Sequence, residues 1–280
     1  MNNFQLSKEL KQNYHGRDLV DKSTWYGQVA NAYNLVRPRY SEKLIDLAVK
    51  YAQLPKNAKI LEVGCGPGIA TTSFAHRGFE LVSLEPNPEA CRLARTNCVF
   101  YPDVEICQTT LEEWSVTPKE FDAVLAATSI HWVNPNIGYP KIAQALKDAG
   151  SLILLWNTGL QPNEKISQLL EPVYQAYAPS LNPFKDRKQE QIELQALGQN
   201  VVDSGYFEPL ISEELIVEVN YSIEDYLLLL STYSPYIALE AGQRQNLFAA
   251  MEKCLQKACG DRIFLSYLSM LQVFDLELAK

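Results

Sequence analysis

The chain has little histidine, no clustered cysteine and no long run of one charge. Its three histidines, His15, His76 and His131, are too far apart in sequence to form a metal-binding motif. Its six cysteines form no Cys-x-x-Cys pair, and Cys91 and Cys98, separated by six residues on one expected helix, are poorly placed for a disulfide. These counts predict free thiols, no structural zinc and no metal cofactor. No Lys/Arg run appears and the formal net charge is −8, which disfavours electrostatic binding to a nucleic acid backbone or an anionic membrane. The longest apolar runs, such as "LILLW" and "YLLLL", are far too short to cross a bilayer, and "MNNFQLSKELKQNYHG" has no signal-peptide core. The expectation is a cytoplasmic protein. No Gly-Lys-Ser/Thr phosphate loop occurs.

What is present is material for a large core: 47% of the 280 residues are hydrophobic and 21% charged. Residues 24–36 place Tyr26, Val29, Tyr33 and Val36 on one helical face, and Pro38 ends that helix. A second amphipathic helix carries Leu44, Leu47, Ala48 and Tyr51. From Lys59 to Trp156 the expected order is strand, helix, strand, helix, strand, strand, helix, strand. Alternation of this kind predicts a parallel sheet covered on both faces. The last helix of the series is expected over Tyr139–Lys147, with Asp148 and Ala149 in a turn. Asn87 with Pro88, and Ser222 with Asp225, read as helix starts. Strands near 207–219 and 262–277 are expected to pair antiparallel at the sheet edge. Helical elements near 1–40, 161–198 and 222–260 are expected as a lid and cap over the strands' carboxyl ends. No linker divides the chain, so residues 1–280 read as one domain.

The first strand stops at Gly64-x-Gly66-x-Gly68, directly before a helix. Ligands of open α/β sheets bind at such strand ends. A dinucleotide fingerprint needs Gly-x-Gly-x-x-Gly, and neither reading frame completes it: the third positions are Ile69 and Thr71. Pro67 deletes one backbone N–H from a loop that would have to cradle pyrophosphate. The loop therefore suits a nucleoside without phosphates, and Glu85, ending the second strand, is placed to accept both ribose hydroxyls.

The segments "ILEVGCGPGIAT", "LVSLEPN", "TTLEEW" and "FDAVLAATSIHW" resemble successive motifs of class I S-adenosylmethionine-dependent methyltransferases. The likeness is greatest to small-molecule enzymes of the trans-aconitate methyltransferase and type-11 group, which share a "Y…RP" segment and a "HW" after the fourth strand. The resemblance implies a Rossmann-like fold: seven mostly parallel strands, one antiparallel edge strand and a helical cap. It implies S-adenosylmethionine as cofactor and S-adenosylhomocysteine as product. It places Gly64, Cys65, Gly66 and Gly68 under the methionine part and ribose, Glu85 on the ribose, and Leu111 and Glu112 beside adenine. Ala127 and Thr128 fall at the sulfonium end, and Tyr33 and Arg37 close over the amino acid. The pocket for a small-molecule substrate is expected among Tyr26, Tyr40, His131, Trp132 and Trp156. His131 can serve as a base, or can only orient or pack. The expected reaction is O-methylation of a carboxylate or hydroxyl. N- or C-methylation, and binding of the cofactor without catalysis, remain open readings. One departure is "KDAGSL", where many members have Pro-Gly-Gly.

Overall fold

The computed structural model describes residues 29–277. Tyr26 and the rest of the expected lid before residue 29 lie outside the described residues. The first described element is helical over 29–36 (α1) and is followed by α2, Glu42–Tyr51. The alternating half is β1 (Lys59–Val63), α3 (Ile69–Ala75), β2 (Glu80–Leu84), α4 (Pro88–Asn97), β3 (Val104–Cys107), β4 (Phe121–Ala127), α5 (Pro135–Ala145) and β5 (Leu146–Asn157). The remainder is β6 (Gln161–Pro162), α6 (Glu164–Tyr177), α7 (Arg187–Val202), β7 (Phe207–Ser222), α8 (Ile223–Leu230), α9 (Ser234–Ile237), α10 (Ala241–Cys259) and β8 (Arg262–Leu276).

The strands form one sheet in the order β3-β2-β1-β4-β5-β8-β6, with β7 also on β8. Strands β1 to β5 pair parallel, whereas β8 runs antiparallel to β5, β6 and β7. Among the described residues the sheet thus has eight strands rather than the expected seven. The extra one is the two-residue β6, whose Gln161 and Pro162 pair with Ser266 and Leu265. The expected helix over Tyr139–Lys147 ends earlier, at Ala145, and Asp148 and Ala149 belong to β5 rather than to a separate turn. Phe121 pairs with Leu146 but Ala123 with Ser151, so the exposed residues between bulge out of the ladder. The two helix starts form as the side-chain chemistry requires: the Asn87 side chain accepts from Ala90 N, and Ser222 Oγ accepts from Asp225 N at 3.0 Å.

β1 and β4 are buried along nearly their whole length because helices cover both faces of the sheet. One layer joins Leu61, Val63, Val124, Leu152, Leu154 and Trp156 to α5 and α7; the other joins Ile60, Leu81, Ala123 and Leu125 to α2 and α3. Trp156, expected at the pocket wall, is a core residue at 2% exposure, and its Nε1 donates to Gln272 Oε1 at 3.0 Å. Alternation along β5 sends its ring to the layer opposite Leu155. Gln272→Leu leaves this buried indole N–H unpaired and should cost about 1–3 kcal/mol by chemical denaturation. In the Trp156→Phe background the same change should cost less, because no donor is then left orphaned.

Candidate active site

The glycine loop lies beside the end of β2 because Val63 pairs with Leu84, which sets Gly64 next to Glu85. Gly64 N and Cys65 N both donate to Leu84 O, at 2.8 and 3.0 Å. Gly64 has φ +70°, and a Cβ there would stand 2.8 Å from Ser129 Cβ, so its glycine is required twice over. Gly66, φ +56°, would direct a Cβ into open space. Gly68 departs from expectation: its bare face meets Ala94 and Cys98 of the α4 region, and it does not line the cavity.

The cavity above this loop has a volume of about 560 Å³, in the range of small-molecule sites. Tyr33, Arg37, Tyr40, Gly64, Cys65, Gly66, Glu85, Leu111, Glu112, Ala127, Thr128 and Trp132 all line it. Glu85 is the anchor. Its Oε2 accepts from Gly66 N at 2.9 Å and its Oε1 from Asn87 N at 2.9 Å, which leaves each oxygen a further lone pair. Burial raises its pKa, and the two backbone bonds act against that rise. Burial likewise raises the Cys65 thiol well above its ordinary range, so the thiol stays protonated. The turn holding Leu111 and Glu112 is pinned by Lys141, whose Nζ donates to the carbonyls of Leu111, Glu112 and Trp114. Glu112 Oε1 also accepts from Asn134 N at 2.8 Å.

At the other end Thr128 holds φ +55°, an uncommon conformation for a β-branched residue. Its N donates to Leu155 O at 2.7 Å, and its Oγ1 shares a 2.8 Å hydrogen bond with Tyr40 OH. Burial holds the Tyr40 hydroxyl far above the ordinary tyrosine pKa, so it remains a neutral donor or acceptor. Asn157, the last residue of β5, and Thr158 after it complete this wall. His131 does not line the cavity. It sits in the 3-10 turn Ile130–Trp132, with its ring 4.9 Å from that of Trp132 and 5.8 Å from that of Trp156. The turn carries Trp132 to the cavity and His131 toward the core tryptophan.

Sequence reasoning missed Glu62. It is fully buried in β1 and lines the cavity; its Oε2 accepts from Thr71 Oγ1 at 2.5 Å and Ser83 Oγ at 3.0 Å, while Oε1 has no hydrogen-bond partner among the described residues. The signal was an acid inside the otherwise apolar "KILEV". An orphaned buried carboxylate oxygen beside a cavity is costly and suits a ligand that donates a hydrogen bond. Together the open face at Gly66, the spare lone pairs of Glu85, the orphaned Glu62 oxygen and the Arg37 guanidinium fit a nucleoside bearing an amino-acid group. Among the described residues, no group of three or more His, Cys, Asp or Glu is arranged to hold a metal ion.

Residues 61–154 match the family model of a methyltransferase domain. An uncharacterised methyltransferase of Mycobacterium tuberculosis is 33% identical over 138 residues, 49% of this chain and 54% of the relative. The chain therefore spans about half the length of the curated relatives it matches at this identity. A candidate methyltransferase of Dictyostelium discoideum is 22% identical over 242 residues, covering 83% of this chain and 85% of the relative. A solved structure from Anaeromyxobacter dehalogenans, designated a candidate type II methyltransferase, superposes with a TM-score of 0.64 at 17% identity, covering 85% of this chain and 97% of that one. It shows the shared fold. Residues 61–154 thus match a methyltransferase domain, set in a fold shared with a solved methyltransferase structure.

Burial of Glu62, opposed by its bonds from Thr71 and Ser83, raises its pKa to about 7. A carboxyl whose folded pKa exceeds its unfolded value contributes stability below the unfolded pKa, and loses it as pH rises through the folded one. Ligand-free protein should therefore lose stability as pH rises from the ordinary carboxylate range to about 7, with no further loss from this group above it. Glu62→Gln should flatten that loss in denaturation midpoints measured across the window. An unchanged slope would mean that Glu62 does not titrate there.

Proposed function

We propose that the protein transfers the methyl group of S-adenosylmethionine to a small molecule at a carboxylate oxygen. This places it in the subgroup that its "Y…RP" and "HW" segments resemble. Bound in the cavity, S-adenosylmethionine would supply a methyl group already activated by its positive sulfur, leaving S-adenosylhomocysteine. Gly64, Cys65 and Gly66 would support it from below, Glu85 would accept its ribose hydroxyls, and Leu111 and Glu112 would flank adenine. Glu62 would accept from its amino group, Ala127 and Thr128 would line the sulfonium end, and Tyr33 and Arg37 would close over the carboxylate.

The observation that carries the choice of nucleophile is the neutral transfer end. Tyr40, Thr128, Asn157 and Thr158 form it; no histidine or lysine lines the cavity among the described residues, and Glu62, whose carboxyl is raised to about 7, would be occupied by the cofactor's amino group. A hydroxyl nucleophile needs a base near neutrality, whereas a carboxylate is already ionised. What the chain then contributes is alignment and exclusion of water. The net charge of −8 supports a small-molecule partner over nucleic acid or membrane, and the free cysteines support a cytoplasmic setting. No helix among the described residues is long and apolar enough to cross a membrane.

Calorimetry should show S-adenosylhomocysteine binding and no comparable binding of NAD. Glu85→Ala should weaken the former by about 1.5–3 kcal/mol, the range for hydrogen bonds to a charged group. Equal affinity for NAD would sink the cofactor assignment.

The substrate class has its own test. The protein is incubated with methyl-labelled cofactor and the small-molecule fraction of a cell extract. Label should enter a product that releases it as volatile methanol in alkali, as a methyl ester does. Alkali-stable label would indicate an ether, amine or carbon acceptor, and no transfer would indicate a binding protein. His131→Ala should leave turnover and the Michaelis constant within about twofold, against the ~10²–10⁴ loss expected for a general base.

A further inference from the structure

We propose that Thr232 and Tyr233, in the junction between α8 and α9 of the cap, are positioning residues that aim Arg37 at the amino-acid end of the cofactor. The inference rests on the methyltransferase reading above and adds to it a part for the cap in cofactor binding.

Arg37 directly follows α1 and lies 195 residues before Thr232. Its Nε donates to Thr232 Oγ1 at 2.9 Å, and its Nη2 donates to the Thr232 carbonyl at 3.0 Å. The guanidinium carbon lies 4.1 Å from the ring centre of Tyr233 and 4.6 Å from that of Tyr33. Thr232 is itself fixed: it is fully buried, and its hydroxyl proton goes to Leu229 O at 2.7 Å, so its oxygen is left to accept from Arg37. Leu160 N donates to Tyr233 OH at 3.1 Å, which ties the stacked ring to the segment after β5. Tyr221 OH donates to Val36 O at 2.6 Å, holding the end of α1 in place.

These partners are all neutral. Among the described residues Arg37 forms no ion pair and its Nη1 makes no hydrogen bond, although it lines the cavity. A guanidinium stacked on aromatics, with neutral acceptors on two nitrogens, has its direction fixed and its charge unmatched. Such a group is prepared for a carboxylate, and it loses little side-chain freedom on binding one. If the arrangement only glued the cap to α1, removing an acceptor would loosen the cavity for every ligand alike. If it aims Arg37, only ligands with a carboxylate should respond.

The test is calorimetric titration of wild type, Thr232→Val and Thr232→Ser with two ligands. One is S-adenosylhomocysteine; the other is 5′-methylthioadenosine, which shares the nucleoside and sulfur but has no amino-acid group. Thr232→Val should weaken S-adenosylhomocysteine about 10- to 100-fold, as expected for misdirecting a charge-assisted contact, and leave 5′-methylthioadenosine within about twofold. Thr232→Ser keeps the acceptor and should bind both ligands as wild type does. Should Thr232→Val not fold, Tyr233→Leu removes the stacked ring and is held to the same expectation. Equal weakening of both ligands, or of neither, overturns the proposal. Wild-type protein that binds neither nucleoside overturns the methyltransferase reading itself.

Discussion

The Glu85 carboxylate is the constraint on which the cavity depends. It is nine-tenths buried, and its two oxygens are divided between two loops: one accepts from Gly66 N in the loop after β1, the other from Asn87 N at the start of α4. A buried carboxylate is costly unless hydrogen-bonded, and a loop N–H turned inward is costly unless accepted, so each group meets the other's requirement. The parallel register of β1 and β2 makes the exchange possible by ending both strands at the same level. Since Glu85 holds the loop before any ligand arrives, the open face at Gly66 is preformed. The oxygens that hold it are the same ones that have lone pairs left for a ligand.

Charge is divided along the cavity. Four acids line it, Glu62, Glu85, Glu112 and Glu113, whereas Arg37 is the single cation among the described lining residues. The acids lie at the end of β1, just after β2 and in the turn after β3; Arg37 comes from the opposite side, between α1 and the cap. A ligand that satisfies both ends must offer hydrogen-bond donors along one side and an anion at a distance. A nucleoside carrying an amino acid has its hydroxyls and ammonium on the acids' side and its carboxylate for the arginine. A dinucleotide would bring its pyrophosphate to a loop that has lost one N–H to Pro67 and faces Glu85, so repulsion adds to the missing donor.

Local chemistry was legible in the sequence, and long-range aim was not. The strand and helix order from Lys59 to Trp156 could be read because buried parallel strands, glycine turns and Asn87 each leave a local signature. The β7–β8 pairing followed from two long strand patterns with nowhere else to go. The bulge at Lys147–Gly150 was not legible, since those residues fit a helix end as well as a strand start. Trp156 and His131 fail for a related reason. Both sit beside cavity-lining neighbours, Asn157 and Trp132, but one residue along a strand or a tight turn reverses the side chain's direction. A strand buried on both faces gives no polarity cue to tell which way. The contact of Arg37 with Thr232 spans 195 residues, and no local pattern encodes it.

The proposed transfer end is walled from two sources that are themselves linked. Tyr40 and Thr128 belong to the sheet end and the segment before it, whereas Thr158 is joined to the cap. Its Oγ1 donates to Glu190 Oε2 at 3.3 Å, and Arg187 Nη1 donates to that same oxygen at 2.6 Å. Glu190 is 5% exposed, and burial raises its pKa against the opposing effect of Arg187. This pair, its carboxylate buried and its guanidinium partly exposed, fixes α7 over the end of β5 and uses its charge on itself, so none of it is directed at the proposed reacting centre. The surface left there is made of hydroxyl and amide groups, which can orient a nucleophile without protonating it. In the proposed reaction the substrate must therefore arrive with its own negative charge. The wall's part is to replace the water around that charge with fixed dipoles.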